Sequence, residues 1–159
     1  IVEKTITLAN GNIALTGSIN KNGFVAVFDE NGNKLWYEEV GGSEFDELID
    51  IIETSDGSIL AVGRTSSLSE GVSNTNYSDG WLVNYSVNGT LNWKKAIGSD
   101  KYEEILLSAL ETPAGDFILT GEQRVSGSYT YIAKVSKDGS NLSWGRSSRK
   151  HQRDVLCLI

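Results

Sequence analysis

The chain has 159 residues, of which 39% are hydrophobic and 22% charged, a composition typical of a folded globular protein and not of a disordered one. Its net charge of −7 argues against nucleic acid as a partner, because phosphates require a basic surface. No apolar run approaches the roughly 20 residues of a membrane-spanning helix, and a single cysteine excludes an internal disulfide framework.

The dominant feature of the sequence is a repeat of roughly fifty residues. Residues 23–63 return almost whole as residues 80–121, and partial copies flank both sides. The aligned pairs are Gly23 with Gly80, Gly32 with Gly89, Trp36 with Trp93, Gly41 with Gly98, Glu47 with Glu104 and, after a one-residue insertion, Gly57 with Gly115 and Gly63 with Gly121. Such self-similarity indicates a repeat architecture.

Each repeat predicts four short strands separated by turn residues. The predicted strands are 2–8, 12–18, 23–28 and 33–40, then 48–54, 58–64, 81–86 and 90–97, then 105–112, 116–123, 129–136 and 141–146. A weak helical period makes a helix the alternative for 45–53 and 102–111. Asn31-Gly32 is the dipeptide favoured in two-residue hairpin turns, where both central residues take positive φ.

These units predict an all-β fold, a β-propeller built of four-stranded antiparallel blades. The single partial domain, 1–159, divides into blades at about 1–42, 43–98 and 99–146, with 154–159 as the first strand of a further blade. A parallel solenoid is less favoured because its rungs are shorter and lack hairpins. The structural repeat residues are Trp36, Trp93, Trp144, Gly32, Gly89 and Gly139.

Three segments carry a family resemblance. VFDENGNKLW, YSVNGTLNW and VSKDGSNLSW resemble the docking motif of quinoprotein-type (PQQ-like) propellers, in which an Asp and a turn Gly precede a strand Trp. The longer pattern over residues 80–121 is similar to tandem blades in bacterial surface proteins and lipoproteins. The resemblance covers nearly the whole chain and implies an exported propeller scaffold. No constellation like the cofactor and calcium site of the quinoprotein enzymes is recognisable, so it implies no activity.

Candidate binding residues lie where the longer loops are expected. Tight turns share one face of a propeller, and the loops between second and third strands and between blades share the other. The longest of these loops is 66–79. Asp46, Glu103 and Asp154 each fall ten residues after the Trp of their blade. The candidate ligand-binding residues are Asp46, Glu47, Tyr77, Asp79, Glu103, Glu104 and Asp154.

The carboxylates among these candidates have two interpretations. Converging oxygen ligands could hold Ca²⁺, whereas the competing interpretation is that each acid accepts backbone N–H groups of its own loop. No other cofactor is predicted.

Catalysis finds little support in the sequence. His151, with Ser147 or Ser148 and Asp154, offers triad residue types within one loop, but a working triad needs a separately positioned base and orienting group. Cys157 lies in an apolar strand and is interpreted as a buried small residue. The basic stretch 146–153 is either an anion or partner contact or a solvated loop. The sequence therefore predicts no catalytic residue.

The predicted function is a non-enzymatic scaffold or binding module, at the cell surface or extracellular, that binds protein or glycan through its loop-rich face. The alternative is part of a propeller enzyme, glycan-processing or quinoprotein-like, whose active site lies partly outside this chain. A calcium-stabilised spacer is a third interpretation. Closed propellers have about four to eight blades, so three blades predict either part of a longer propeller or a homodimer that closes a six-bladed ring.

Overall fold

The computed structural model describes residues 1–67, 77–124 and 126–149, together with the backbone of Cys157 and Leu158. These residues form three consecutive antiparallel sheets and no helix. The first sheet contains β1 (Val2–Thr7), β2 (Ile13–Ile19), β3 (Asn22–Phe28) and β4 (Lys34–Val40); the second contains β5 (Asp46–Glu53), β6 (Ile59–Thr65), β7 (Asp79–Tyr85) and β8 (Leu91–Ile97); the third contains β9 (Glu103–Glu111), β10 (Phe117–Arg124), β11 (Ser128–Val135), β12 (Leu142–Arg149) and β13 (Cys157–Leu158). The predicted all-β class is confirmed, and the helix alternative for 45–53 and 102–111 is wrong because these runs form β5 and β9.

Within each sheet the strands pair in chain order, as consecutive hairpins. The short strand β13 pairs with β12 at the outer edge of the third sheet, through Arg146 with Leu158 and Ser147 with Cys157. This placement differs from the predicted start of a further unit. An edge strand such as β12 offers a row of unpaired N–H and C=O groups, and a following segment can fold back onto it.

Six tight turns share one hydrogen-bond pattern. In the turn of residues 29–33, Gly32 N–H donates to Asp29 O over 3.0 Å and Asp29 N–H donates to Asn33 O over 2.9 Å. The turn glycines all have positive φ: Gly11, Gly32, Gly57, Gly89, Gly115 and Gly139. The first and second strands of each sheet, and the third and fourth, are joined by these turns, which therefore lie on one face, the turn face.

The predicted two-residue turn at Asn31-Gly32 is wrong, because Gly32 has a φ of 82° but Asn31 is not among the residues with positive φ. The observed pattern is a type I turn followed by a left-handed glycine. Both central residues take positive φ instead at Asn20 (50°) and Lys21 (77°), the hairpin between β2 and β3, where the sequence has no glycine. Turn length, and not the Asn-Gly pair, decides which hairpin forms.

The first strand of each sheet has a register shift near its start, between Val2 and Lys4 in β1 and between Leu48 and Asp50 in β5. A glycine on the neighbouring strand faces each shift. At Gly63 a Cβ atom would lie 1.9 Å from the carbonyl oxygen of Glu47, and at Gly121 1.9 Å from that of Ile105. The repeated glycine of the second strand is therefore required by the backbone beside it.

The three sheets stack face to face, and we call the contact between the first and second sheets the first junction and that between the second and third the second junction. Each is filled by buried apolar side chains, among them Val25, Leu48 and Trp81 in the first and Leu82, Leu106 and Phe117 in the second. A Cβ atom at Gly23 would lie 2.9 Å from Leu48 Cγ, and one at Gly80 2.8 Å from Leu106 Cγ. Glycine here lets the leucine of the next sheet approach the backbone.

A tryptophan from the fourth strand of the first and of the second sheet reaches a turn of the next sheet. Trp36 Nε1 donates to Val87 O over 2.9 Å, and its ring lies where a Cβ of Gly89 would be, 2.8 Å away. Trp93 occupies the same position against Gly139, at 2.7 Å. These two residues are thus inter-sheet contacts, whereas Trp144 in β12 is half-buried, with the Arg146 guanidinium 5.7 Å from its ring centroid.

Candidate functional site

Strand pairing corrects the alignment of the acidic residues. Leu48 pairs with Gly63 and Leu106 pairs with Gly121, so Leu48 and Leu106 are equivalent. Counting back, Asp46 corresponds to Glu104 and not to Glu103. The extra residue of the second repeat lies before these acids, in the loop of residues 98–102, and not after Glu47 and Glu104. The recurring acid of the repeat is thus Asp46 and Glu104, and both are fully buried, with relative exposures of 0% and 1%.

At the first junction the buried acid is saturated with donors. Asp46 Oδ2 accepts Gly42 N–H over 2.7 Å and Ser67 Oγ over 2.9 Å, and Asp46 Oδ1 accepts Thr65 Oγ1. A Cβ at Gly41 would lie 2.5 Å from Asp46 Oδ2 and 2.7 Å from Asn22 Oδ1, so the amide and the carboxylate flank the same glycine. This acid organises its loop.

At the second junction two carboxyl groups occupy this place. Asp79 is equivalent to Asn22, since each precedes the glycine that packs on the next sheet, and it lies against Gly98 as Asn22 lies against Gly41. Burial raises the pKa of Asp79 to about 6. Burial, with a contribution from the charge of Asp79, raises the pKa of Glu104 to about 7. Burial and both acids raise the pKa of Tyr131 to about 12.

A small cavity of about 110 Å³ adjoins Glu104 of this pair. Its lining includes Ser99, Glu104, Gln123 and Tyr131. Gln123 Nε2 donates to Glu104 Oε1 over 2.8 Å, and Ser99 N–H and Oγ lie 3.4 Å from the same carboxyl group. Chemically, the arrangement can hold or release a proton near neutral pH beside a space large enough for a few water molecules.

The end of the second and third sheets that contains the acid pair is the loop face. A network of ion pairs covers it. Arg64 binds Glu47 at 3.1 Å and Glu103 at 3.3 Å, and Arg124 continues the network at 3.6 Å from Glu103. The Arg64 guanidinium lies 5.0 Å from the ring centroid of Phe45, which is 41% exposed, and Tyr77 is 40% exposed. Glu47 and Glu103 thus lie in this network.

Several predicted positions fall outside the described residues: Asp154, His151 and residues 68–76 of the long loop. Ser147 is buried on β12. Within the described ranges, no group of three or more His, Cys, Asp or Glu side chains has a metal-binding arrangement. The same ranges contain no helix long and apolar enough to cross a membrane.

A larger concave feature than the cavity beside Glu104 lies on the opposite side, at the turn face of the second junction. This polar groove has a volume of about 520 Å³ and is lined by Thr54, Asn84, Asn92, Trp93, Asp116 and Lys137, among others. Asn84 is 4% exposed, and its Oδ1 accepts Asn92 Nδ2 over 2.8 Å. Trp93 supplies an aromatic wall, half-buried against Phe117 at a centroid distance of 6.3 Å.

Charged turn residues rim the polar groove. Lys137 Nζ lies 3.1 Å from Asp56 Oδ2, so the second and third sheets are joined across it. Hydrogen bonds from Thr54 and Ser58 hold the pKa of Asp56 well below its ordinary value. Hydrogen bonds from Ser136 and Ser140 lower the pKa of Asp138 to about 2. Both carboxylates are therefore ionised acceptors under all ordinary conditions.

The same place at the first junction is less polar. Strand pairing makes Val27 equivalent to Asn84 and Leu35 equivalent to Asn92, because each pair stands in the same relation to Trp36 or Trp93. The turns likewise place Leu8 where the polar groove has Thr54, and Val87 where it has Lys137. The aligned repeats contain this signal, four apolar residues replaced together by polar ones, but the predicted binding residues lie on the longer loops and do not include them.

No protein-family model matches the chain, and no curated protein matches it. Among solved structures it is similar to the crystal structure of a protein of unknown function from Dyadobacter fermentans DSM 18053, with a TM-score of 0.62 and 14% sequence identity. The match covers 93% of this chain and 51% of that one, so this chain spans about half the length of that protein. At this identity the likeness concerns the fold alone.

Fold and site together define an all-β protein of three repeated antiparallel sheets whose chemical variety is concentrated at the second junction. The turn face of that junction holds the polar groove, and the loop face holds the buried acid pair and the ion-pair network.

Proposed function

We propose that this chain is part of a β-propeller and acts as a non-enzymatic binding module at the cell surface or outside the cell. Three observations support the propeller. The sheets are consecutive four-strand hairpin units stacked face to face, a tryptophan of each internal junction enters a turn of the next sheet, and the similar solved chain is nearly twice as long. Export is supported by the resemblance of residues 80–121 to surface-protein blades.

The ligand we propose is a hydroxyl-rich molecule, an oligosaccharide, bound in the polar groove. The observation that carries the proposal is the replacement of Val27, Leu35 and Leu8 by Asn84, Asn92 and Thr54 at the equivalent place. Amide and hydroxyl groups both donate and accept hydrogen bonds, as sugar hydroxyls do. An aromatic ring beside them, that of Trp93, offers an apolar surface for the C–H face of a sugar.

Volume favours the polar groove over the loop face. Small-molecule sites are typically about 300–1,000 Å³, a range that contains the 520 Å³ of the polar groove but not the 110 Å³ of the cavity beside Glu104. The expected loop-face site therefore gives way to the turn face in this proposal. The loop-face ion-pair network, with Phe45 and Tyr77 beside it, is the alternative binding surface and serves as the control.

The test replaces polar residues of the polar groove by those of the first sheet, in the variant Asn84→Val/Asn92→Leu. The repeat already accommodates Val27 and Leu35 at these places, so we expect the fold to persist, as judged by circular dichroism. The probe is an array of microbial, plant and animal oligosaccharides, followed by calorimetry on those bound. Losing two hydrogen-bonding side chains should weaken binding at least tenfold.

The matched control is Tyr77→Ala/Glu103→Ala, which alters the loop face and leaves the polar groove intact. Its affinity for the bound oligosaccharide should equal that of the unchanged protein. If the control loses binding while the Asn84→Val/Asn92→Leu variant binds normally, the ligand lies at the loop face. If the unchanged protein binds no member of the array, the oligosaccharide proposal is wrong.

A second candidate function is glycan processing at the acid pair. The specific observation is that burial places the pKa values of Asp79 and Glu104 at about 6 and 7, the range of a general acid or base at neutral pH. Oligosaccharides that bind would be incubated with the protein and analysed by mass spectrometry. Cleavage that Glu104→Gln abolishes would favour this candidate, and intact oligosaccharide would contradict it.

A further inference from the structure

The two ends of the stack are unlike the internal junctions. The first sheet has no preceding sheet and the third has no following sheet among the described residues. Each end therefore has one face against which no described sheet packs. The half-buried apolar residues of the first sheet include Ile13, Leu15 and Phe28, and those of the third include Ile118 and Ile132. Both ends therefore present apolar side chains that an additional sheet would cover.

The tryptophan contact is available at both ends. Gly89 and Gly139 are each occupied by the tryptophan of the preceding sheet, at 2.8 and 2.7 Å from an added Cβ. Within the described part of the chain, nothing lies within 4 Å of a Cβ built on the equivalent Gly32. Trp144 occupies the equivalent position on the last sheet. Among the described residues, Gly32 at one end thus has no tryptophan against it, and Trp144 at the other end has no turn of a following sheet against it.

The glycine–leucine contact changes on both ends at once. Internally, Gly23 faces Leu48 and Gly80 faces Leu106. The third sheet has Thr130 in place of the glycine, since it precedes Tyr131 as Gly80 precedes Trp81. The first sheet has Val2 in place of the leucine, since it pairs with Gly17 as Leu48 pairs with Gly63. The third sheet thus has a residue larger than glycine at this contact, and the first sheet has a residue smaller than leucine.

A second inter-sheet contact, in which a glutamate accepts a turn N–H group of the preceding sheet, also lacks its residues at both ends. Internally, Glu53 accepts Ala9 N–H over 2.6 Å and Glu111 accepts Ser55 N–H over 2.6 Å. The third sheet has Pro113 at the place of Ala9 and Ser55, so no N–H is available there. The first sheet has Thr7 at the place of the glutamates. The missing donor and the missing acceptor belong to the same contact.

We infer that the third sheet of one chain packs against the first sheet of a second copy, so that two copies close a ring of six sheets. A further sheet of the internal kind would bring a leucine against Thr130 and a carboxylate against Pro113, whereas a second copy brings Val2 and Thr7. Six sheets lie within the range of four to eight in which propellers close. Trp144 of each copy then enters the turn of Gly32 in the other.

The inference rests on the propeller of the proposed function but not on its ligand, so the two can fail separately. Its test is the mass in solution, by light scattering on a size-exclusion column over a hundredfold range of concentration. We expect a dimer, twice the 17.3 kDa of the chain. A monomer at every concentration, or a ladder of larger species, would overturn the inference.

A pair of variants tests which surface forms the dimer. Gly32→Asn retains the left-handed backbone that Asn tolerates, yet its side chain would occupy the space meant for Trp144. The matched control is Gly11→Asn, where φ is +86° against +82° and a Cβ likewise meets nothing within 4 Å among the described residues. We expect Gly32→Asn to be a folded monomer and Gly11→Asn a dimer.

Trp144→Ala should also give a folded monomer, which shows that the effect is not peculiar to the turn. A dimer that persists unchanged in both Gly32→Asn and Trp144→Ala would mean that another surface joins the copies. Circular dichroism of each variant separates loss of association from loss of fold.

Discussion

The two junctions of this protein are built alike in the middle and differently at both ends. Each packs a leucine of one sheet on a glycine of the preceding sheet, and a tryptophan on the turn glycine of the next. At the loop face, the first junction pairs an amide with an acid where the second pairs two acids. At the turn face, the first junction has four apolar residues where the polar groove of the second has polar ones.

This contrast shows which positions of the repeat are free to diverge. Contacts that set the distance between sheets recur because a change there displaces whole sheets. Positions at the ends of the junction do not set that distance, so a buried polar residue is tolerated there when it finds a partner, as Asn84 finds Asn92. New chemistry is therefore expected at the ends of junctions, and the second junction has acquired it at both.

The largest effect is expected where the junctions agree. Gly89→Ala places a methyl group 2.8 Å from the Trp36 ring and should cost about 2–4 kcal/mol, from backbone strain and overpacking together. Gly57→Ala is the control, since its φ of 81° matches but nothing lies within 4 Å of its Cβ among the described residues, and it should cost about 1–2 kcal/mol. Urea unfolding measures both. Equal losses would mean that Trp36 does not determine the requirement for glycine.

The next effect concerns the acid pair and its pH dependence. Because the folded pKa values of Asp79 and Glu104, about 6 and 7, lie above their ordinary values of 3.8 and 4.5, the folded state binds more protons than the unfolded chain in this window. Their contribution to stability is therefore complete below about pH 4 and declines as pH rises to about 8. The melting temperature should fall over this range.

Asp79→Asn makes the second junction resemble the first, where Asn22 stands beside the acid. We expect the variant to be more stable at pH 8 by about 1–3 kcal/mol, with little change at pH 4, because a buried charge is removed. Melting temperatures at the two pH values measure the difference. A variant with the same pH dependence as the unchanged protein would show that Asp79 does not contribute to it.

The smallest effect tests whether the ends form a third junction. Thr7→Glu restores the acceptor opposite Pro113, which has no N–H, and should raise the dimer dissociation constant about three- to tenfold by burying an unmatched carboxylate. Adding Pro113→Ser supplies the donor that Ser55 offers to Glu111 and should bring the constant back to within about threefold of its original value. Analytical ultracentrifugation measures this. Identical dimer dissociation constants for the single and double variants would show that Thr7 and Pro113 do not meet in the interface.

Strand positions were predictable because alternation and turn residues recur three times. The predicted strand 23–28 is observed as β3, Asn22–Phe28, and 90–97 as β8, Leu91–Ile97. Turn geometry was less predictable, since Asn31-Gly32 suits a two-residue hairpin by composition but takes part in a longer turn. The positive φ values of Asn20 and Lys21 follow from the strands on either side and not from residue preference.

The sequence identified the acidic residues of the loop face but not which of them are equivalent in the two repeats. The alignment singled out Asp46, Glu103 and Glu104, but placed the insertion after them, so the true counterpart of Asp46 was misassigned. One-residue shifts cannot be placed by similarity in a loop where both neighbours are acidic. Hydrogen bonds place them, since Asp46 N–H binds Lys21 O at 2.7 Å and Glu104 N–H binds Ser78 O at 2.8 Å.

The sequence by itself determined the repeat, the strand order within each unit and the recurring tryptophans, because these depend on residue pattern over short distances. Only the tertiary structure decided that Asp79 and Glu104 share one buried place and that Asn84 and Asn92 face Lys137 across the polar groove. It also decided that tryptophans contact Gly89 and Gly139, whereas no described residue lies against Gly32. These facts depend on residues from different sheets, and their proximity arises only when the sheets stack. Burial then gives those residues the chemistry that their sequence positions do not disclose.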